Sequence, residues 1–98
     1  MRKVVYQFEE IARAAGFLPA GDGKFNLPAT QDVACRLARV VTEIVGDWHP
    51  DDDRLSVTLT GAGPVWAYLA IAHALHGRCA QMTYSAPNAT IEIWSHGV

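Results

Sequence analysis

The most constraining feature of this sequence is a strand pattern that leads through a glycine turn into an apolar helix. Residues 55–60 alternate apolar side chains with Ser and Thr, which predicts a strand with one buried face. Glycine and proline occupy residues 61–64, and an apolar helix is predicted over 64–76, ended by Gly77. A strand over 79–84 then completes a βαβ crossover, which favours a parallel strand pair.

The first half of the chain predicts two further helices. Residues 4–8 fit a short strand, and the overlapping residues 6–15 fit a helix equally well. The Pro- and Gly-containing stretch 17–29 is typical of a loop. A clearer helix is predicted after it, with Thr30 as its N-cap and Gly46 at its end.

The end of the chain predicts a β-hairpin. A strand over 90–94 follows a turn over 85–88, so it is expected to pair back on the preceding strand. We therefore expect one α/β domain over residues 1–98. It has a small mixed sheet with a βαβ unit and C-terminal hairpin, and two additional N-terminal helices.

Composition narrows the possible partners. The 98 residues suit one domain, and the 50% hydrophobic content leaves apolar surface for a homodimer or a higher homo-oligomer. The net charge of −2 argues against a double-stranded nucleic-acid partner, and no apolar run approaches the length of a membrane span. Cys35 and Cys79 form no zinc or CxxC spacing, and no signal peptide is evident, so a cytoplasmic protein with reduced thiols is expected.

The glycine turn is the best local candidate for a ligand site. Gly61 and Gly63 allow a ligand to approach the backbone, and the start of the following helix favours a phosphate. Ligands of open α/β sheets bind beyond the carboxyl ends of strands, where this turn is expected. The pattern is neither a P-loop nor a full dinucleotide motif, so a tight structural turn explains it as well.

The predicted helix carries His73 and His76 on one face, with Trp66 on nearly the same stripe. Such a pair suits acid–base chemistry, phosphate contact or metal binding, but no further ligand lies at a diagnostic spacing. The alternative is two histidines favoured by the helix C-terminus. His96 can join them from a neighbouring strand or subunit.

The remaining candidates each have a structural alternative, which for the aromatic residues and the acidic run is the commoner role. Tyr84 and Trp94 can stack on bases or fill a core, and Arg78 can reach a phosphate or cap helix carbonyls. The acidic run 51–53 after His49 is typical of a solvated loop.

About forty C-terminal residues resemble the third family of CRISPR-associated ring nucleases. The resemblance rests on a Gly-x-Gly-Pro-x-Trp turn after a strand, a helix with an Ala-His pair and a further histidine, a strand-end tyrosine and a final Ser-His. These features fall here at residues 58–66, Ala72, His73, His76, Tyr84, Ser95 and His96.

The resemblance implies that the chain binds and cleaves cyclic tetra-adenylate, the second messenger of type III CRISPR systems. By resemblance manganese is a possible cofactor, and the residues also allow metal-independent cleavage through the ribose 2′-hydroxyl. The expected catalytic residues are His73, His76 and His96. The expected ligand-binding residues are Gly61, Ala62, Gly63, Pro64, Trp66, Arg78, Tyr84, Ser85 and Ser95.

One departure from the family pattern keeps the function open. Ser85 stands where the family has an aspartate, and the nearby arginine is absent. Asp51–Asp53 or Glu92 are possible replacements for the acid. The alternatives are a cyclic nucleotide sensor or sponge without catalysis, and a protein-interaction domain that assembles through its apolar helix.

Overall fold

The computed structural model describes residues 2–46 and 55–95 as an α/β domain with four strands and three helices. Its elements, in chain order, are β1 (Arg2–Gln7), α1 (Phe8–Ala14), α2 (Gln31–Val45), β2 (Leu55–Thr60), α3 (Val65–Leu75), β3 (Gln81–Ala86) and β4 (Ala89–Ser95). The expected α/β class is therefore confirmed. The alternatives of a strand over 4–8 and a helix over 6–15 are each realised in part, because β1 runs directly into α1.

The sheet is mixed, with strand order β1-β2-β3-β4. β1 pairs with β2 and β2 with β3 in parallel, whereas β3 and β4 form the expected antiparallel hairpin. The parallel pairing places the ends of β1, β2 and β3 at one carboxyl edge of the sheet. The start of β3 and the end of β4 lie together at the opposite, amino edge, where Gln81 faces Ser95.

One face of the sheet carries the core. Its strand residues share one parity of the alternation, and Leu55, Val57, Leu59 and Met82 are all buried against the helices. α3 contributes Ala67, Ile71 and Leu75 at a spacing of four, so one stripe of this apolar helix faces the core.

The helix ends follow the sequence closely at α2 and less closely at α3. The Thr30 hydroxyl accepts the Val33 N–H at 3.3 Å, and Gly46 ends α2 at a φ of 75°. Pro64 is the N-cap of α3, with an extended ψ of 153°, and not its first helical residue. The predicted strand over 79–84 lies two residues later, and the hairpin turn shortens to Pro87 and Asn88.

The two cysteines differ in their exposure. Cys79 is buried, which raises the pKa of its thiol to about 11, and Cys35 is exposed; neither forms a disulfide. Ile44, in the last turn of α2, is 41% exposed. No helix of the described residues is long and apolar enough to cross a membrane.

Candidate functional site

The glycine turn opens into a cleft at the carboxyl edge of the sheet. The cleft measures about 700 Å³. Three kinds of segment line it: the start of α1, the loop before α2, and the ends of β2 and β3. The lining residues are Glu9, Gly23, Lys24, Phe25, Asn26, Thr60, Gly61, Ala62, Ser85, Ala86 and Pro87. Three residues expected to bind the ligand, Gly61, Ala62 and Ser85, therefore share one cavity.

A carboxylate lies directly on the glycine turn. Oε1 of Glu9 accepts a hydrogen bond from the Ala62 backbone N–H at 2.6 Å. This bond is shorter than most N–H···O hydrogen bonds in proteins. It occupies one of the donors that the sequence suggested for a phosphate.

A tyrosine hydroxyl takes a second donor of the same turn. The Tyr68 hydroxyl accepts the Gly63 N–H at 3.0 Å, and lies 2.8 Å from the Gly61 carbonyl oxygen, to which it can donate. Burial is the main cause that raises the pKa of Tyr68, so the hydroxyl stays protonated at neutral pH. Tyr68 therefore closes the turn from the first helical turn of α3.

Close packing explains why glycine stands at both positions of the turn. A Cβ on Gly61 would lie 2.8 Å from Oε2 of Glu9 and 2.9 Å from the Phe8 backbone nitrogen. The φ of Gly61 is also +103°, which L side chains rarely adopt. A Cβ on Gly63 would lie 2.6 Å from the Phe8 ring. The structural explanation of the glycine pattern thus holds, beside its ligand-binding interpretation.

A side-chain hydrogen bond joins β2 and β3 where the two strands end at the cleft. The Thr60 hydroxyl donates to the Ser85 carbonyl oxygen at 2.8 Å. The Tyr84 ring lies 5.1 Å from the Tyr68 ring in an edge-to-face arrangement, and both rings are half-buried. Tyr84 therefore supports the turn through Tyr68.

The histidines lie at the other end of α3. Residue 73 is eight positions beyond Val65, a rise of about 12 Å along the helix, and the sheet topology places this end at the amino edge. His73 and His76 are exposed, and the His76 ring packs edge-to-face against Trp94 at 5.3 Å. A single chain therefore does not bring these histidines to the glycine turn.

The other expected site residues divide in the same way. Arg78 and Ser95 belong to the amino edge, beside the loop after α3 and at the end of β4. Trp66 lies at the start of α3, but it faces a smaller hollow of about 390 Å³ beside Ala29, Thr30 and Ala34. Pro64 is the last residue of the turn and is not among the described residues that line the cleft.

One of the possible replacement acids, Glu92, lies away from the cleft. Glu92 accepts a hydrogen bond from the Gln81 side chain at 2.8 Å, on the sheet face opposite the core. Asp51–Asp53, His49 and His96 fall outside the described residues. At the glycine turn, the carboxylate comes from Glu9 instead.

The part of the chain that the structure describes offers no set of ligands for a metal ion. Within residues 2–46 and 55–95, no three His, Cys, Asp or Glu side chains cluster closely enough to hold an ion. Glu9 is the carboxylate among the described lining residues, and its Oε1 already accepts from Ala62. These residues do not fit a manganese ion.

Sequence reasoning missed the contribution of the first half of the chain to the cleft. Glu9, Lys24 and Asn26 line it, although Glu9 precedes Ala62 by 53 residues. The available indication was the β-branched start of β1: a strand parallel to β2 has its end beside the end of β2. The residues after each strand, Glu9 and Ala62 among them, then become neighbours.

Comparison with known proteins adds no relative. No protein-family model, no curated protein and no solved structure matches this chain.

Proposed function

We propose that this chain binds a cyclic oligoadenylate, cyclic tetra-adenylate first, at the carboxyl-edge cleft and cleaves its phosphodiester bonds. Such an enzyme would switch off type III CRISPR signalling as a cytoplasmic homodimer. The observation that carries the proposal is the cleft itself, because the turn that resembles the ring nucleases forms one of its walls.

The chemistry of the cleft suits one nucleotide unit of such a ring. Lys24 can neutralise a phosphate charge, and Asn26 can donate to or accept from a base or ribose. The backbone of Gly61 and Ala62 borders the cavity without a side chain larger than a methyl group. A two-fold assembly would present equivalent clefts to a ligand with equivalent phosphates.

Cleavage by His73 or His76 requires more than one chain. These two histidines stand at the amino edge, far from the glycine turn, so a ring bound to that turn would meet them from a second copy. In the metal-independent reaction, the ribose 2′-oxygen attacks phosphorus while a histidine takes its proton. The 5′-oxygen leaves with a proton from a second acid, and the product carries a 2′,3′-cyclic phosphate.

A second candidate is binding without cleavage, as a sensor or sponge. The observation that favours it is the separation of the glycine turn from the histidines within one chain. Ser85 also favours binding without cleavage, because it stands where the ring nucleases have an aspartate. Its contact with Thr60 is made by the backbone carbonyl oxygen and not by an acidic side chain. Such a protein would retain its ligand intact.

A third candidate is a protein-interaction domain. Val65 and Leu69 on α3 are 76% and 66% exposed, one helical turn apart on the same stripe. An apolar stripe of this kind is typical of a contact with another chain or a second copy. It is compatible with the homodimer of the main proposal.

The test is incubation of the purified protein with cyclic tri-, tetra- and hexa-adenylate, each with manganese and with EDTA. Liquid chromatography then separates ring from linear products. We expect linear products from cyclic tetra-adenylate in the EDTA lane, ending in 2′,3′-cyclic phosphates. Strict dependence on manganese would exclude the metal-independent reaction.

Two further outcomes separate the alternatives. Intact cyclic tetra-adenylate that co-elutes with the protein would support the sensor or sponge. Intact ligand that elutes alone from the wild-type protein would contradict nucleotide binding and leave the interaction domain.

A further inference from the structure

We propose that Glu9 competes with anionic ligands for the glycine turn, so that a phosphate binds there only after the Glu9 carboxylate has left Ala62. The natural ligand rests on the proposed function above. The competing contact does not, because it is formed within the chain.

The carboxylate occupies the place where a phosphate would approach the turn. Oε1 lies 2.6 Å from the Ala62 nitrogen, and both oxygens lie 2.8–2.9 Å from where a Cβ on Gly61 would be. The carboxylate therefore covers the surface that the absence of a side chain at Gly61 leaves open. A phosphate oxygen bound to the Ala62 N–H would collide with it.

The neighbouring donor offers no alternative. The Gly63 N–H is bonded to the Tyr68 hydroxyl, which is held between Phe8 and Tyr84 by ring contacts. Tyr68 is anchored in a packed cluster, whereas Glu9 ends in a flexible side chain at the cleft. Of these two acceptors, Glu9 is the one that can leave.

Charge adds to the steric conflict. A bound phosphate and the Glu9 carboxylate would share one cavity as like charges, which disfavours the complex. Lys24 and Asn26 line the same cavity and offer polar surroundings to both groups once they are apart. Glu9 thus sets how much affinity a ligand phosphate must bring.

A purely structural role makes a different prediction. If Glu9 only fastens α1 to the turn, its neutralisation lowers stability and leaves anion affinity unchanged. If Glu9 competes with the anion, the same change raises anion affinity. The isosteric Glu9→Gln variant separates the two, because its neutral amide oxygen is a weaker acceptor for the Ala62 N–H, more easily displaced, and does not repel an anion.

The experiment titrates inorganic pyrophosphate and cyclic tetra-adenylate into ¹⁵N-labelled protein and follows the amide resonances of Ala62 and Gly63. Wild type, Glu9→Gln, Glu9→Ala and Glu10→Gln are compared under conditions in which thermal unfolding shows each to be folded. Glu10 is the matched control, since it is exposed in the same helical turn and does not line the cleft.

We expect the dissociation constant of pyrophosphate to fall at least about tenfold in Glu9→Gln, equivalent to about 1.4 kcal/mol. The dissociation constant should also fall in Glu9→Ala, and in Glu10→Gln it should stay within about twofold of the wild-type value. Equal affinity in wild type and Glu9→Gln, or no shift of Ala62 in either Glu9 variant, would overturn the competition.

The two ligands keep this result apart from the proposed function. A response of Glu9→Gln to pyrophosphate, with none of any variant to cyclic tetra-adenylate, would support competition and refute the proposed ligand. Equal binding of cyclic tetra-adenylate to wild type and Glu9→Gln would support the ligand and refute competition.

Discussion

The two edges of the sheet both carry candidate site residues, but the packing around these residues differs between the edges. At the carboxyl edge, the glycine turn is fixed by Phe8, Glu9 and Tyr68 through contacts that a substitution would break. At the amino edge, His73 is exposed and lies on the solvent side of α3. The sequence pattern alone therefore indicates a site at both edges of the sheet. The packing shows in addition which of these residues the fold itself requires.

The largest expected effect at the carboxyl edge is that of Phe8→Ala. Phe8 is fully buried, and its ring fills the space beside Gly63, so its loss should lower the free energy of unfolding by about 3–5 kcal/mol. Urea unfolding followed by circular dichroism measures the change. Leu18→Ala is the control, because Leu18 is 85% exposed and should cost under about 0.5 kcal/mol. Similar losses in both variants would contradict the central position of Phe8.

Gly61→Ala should have the next largest effect. The new Cβ requires a φ of +103° and meets the Phe8 backbone nitrogen, so a loss of about 1–3 kcal/mol is expected. Thermal unfolding compares it with Gly21→Ala, a position with open space around its Cβ and no positive φ. A stable Gly61→Ala protein would show that the turn relaxes easily and that its glycine serves the ligand alone.

Tyr68→Phe tests the hydroxyl that closes the turn. Its removal leaves the Gly63 N–H and the Gly61 carbonyl without this partner, which should cost about 1–3 kcal/mol. Urea unfolding gives the value, and Tyr6→Phe, a tyrosine on the core-facing side of β1, serves as the comparison. An unchanged stability would mean that water replaces the hydroxyl at no cost.

The smallest expected effect on stability is that of His73→Ala at the amino edge. An exposed helix residue should change the free energy of unfolding by under about 0.5 kcal/mol. The same variant should lower the rate of cyclic tetra-adenylate cleavage about 100-fold if His73 transfers a proton. Retained cleavage in a folded variant would remove His73 from the proposed reaction. A large loss of stability would instead make it a structural residue.

Most of the fold could be predicted from the sequence because its information is local. The Thr30 cap, Gly46 and the alternation over 55–60 each act within a few residues, and each is where it was expected. The boundaries of β3 and the position of Pro64 differ by one or two residues, since strand pairing and not propensity sets where β3 begins.

The candidate site was less predictable because it depends on distant pairing. Gly61, Ala62 and Ser85 are close in sequence to the strands that position them, and they do share the cleft. Glu9 and Lys24 reach it only through the parallel pairing of β1 with β2, which no short motif encodes. The family resemblance grouped His73 and His76 with the turn, but the length of α3 separates them from it.

The 53-residue separation between Glu9 and Ala62 also has a consequence for the order of folding. The hairpin of β3 and β4 and the helix α3 involve near neighbours, whereas the cleft needs β1 to close a long loop onto β2. Contacts of such range form late, so partly folded chains have the glycine turn without the Glu9 carboxylate that covers it. The hydrogen bond from the Ala62 amide to Glu9 would therefore be among the last to form, and the glycine turn would act as a marker of the fully folded chain.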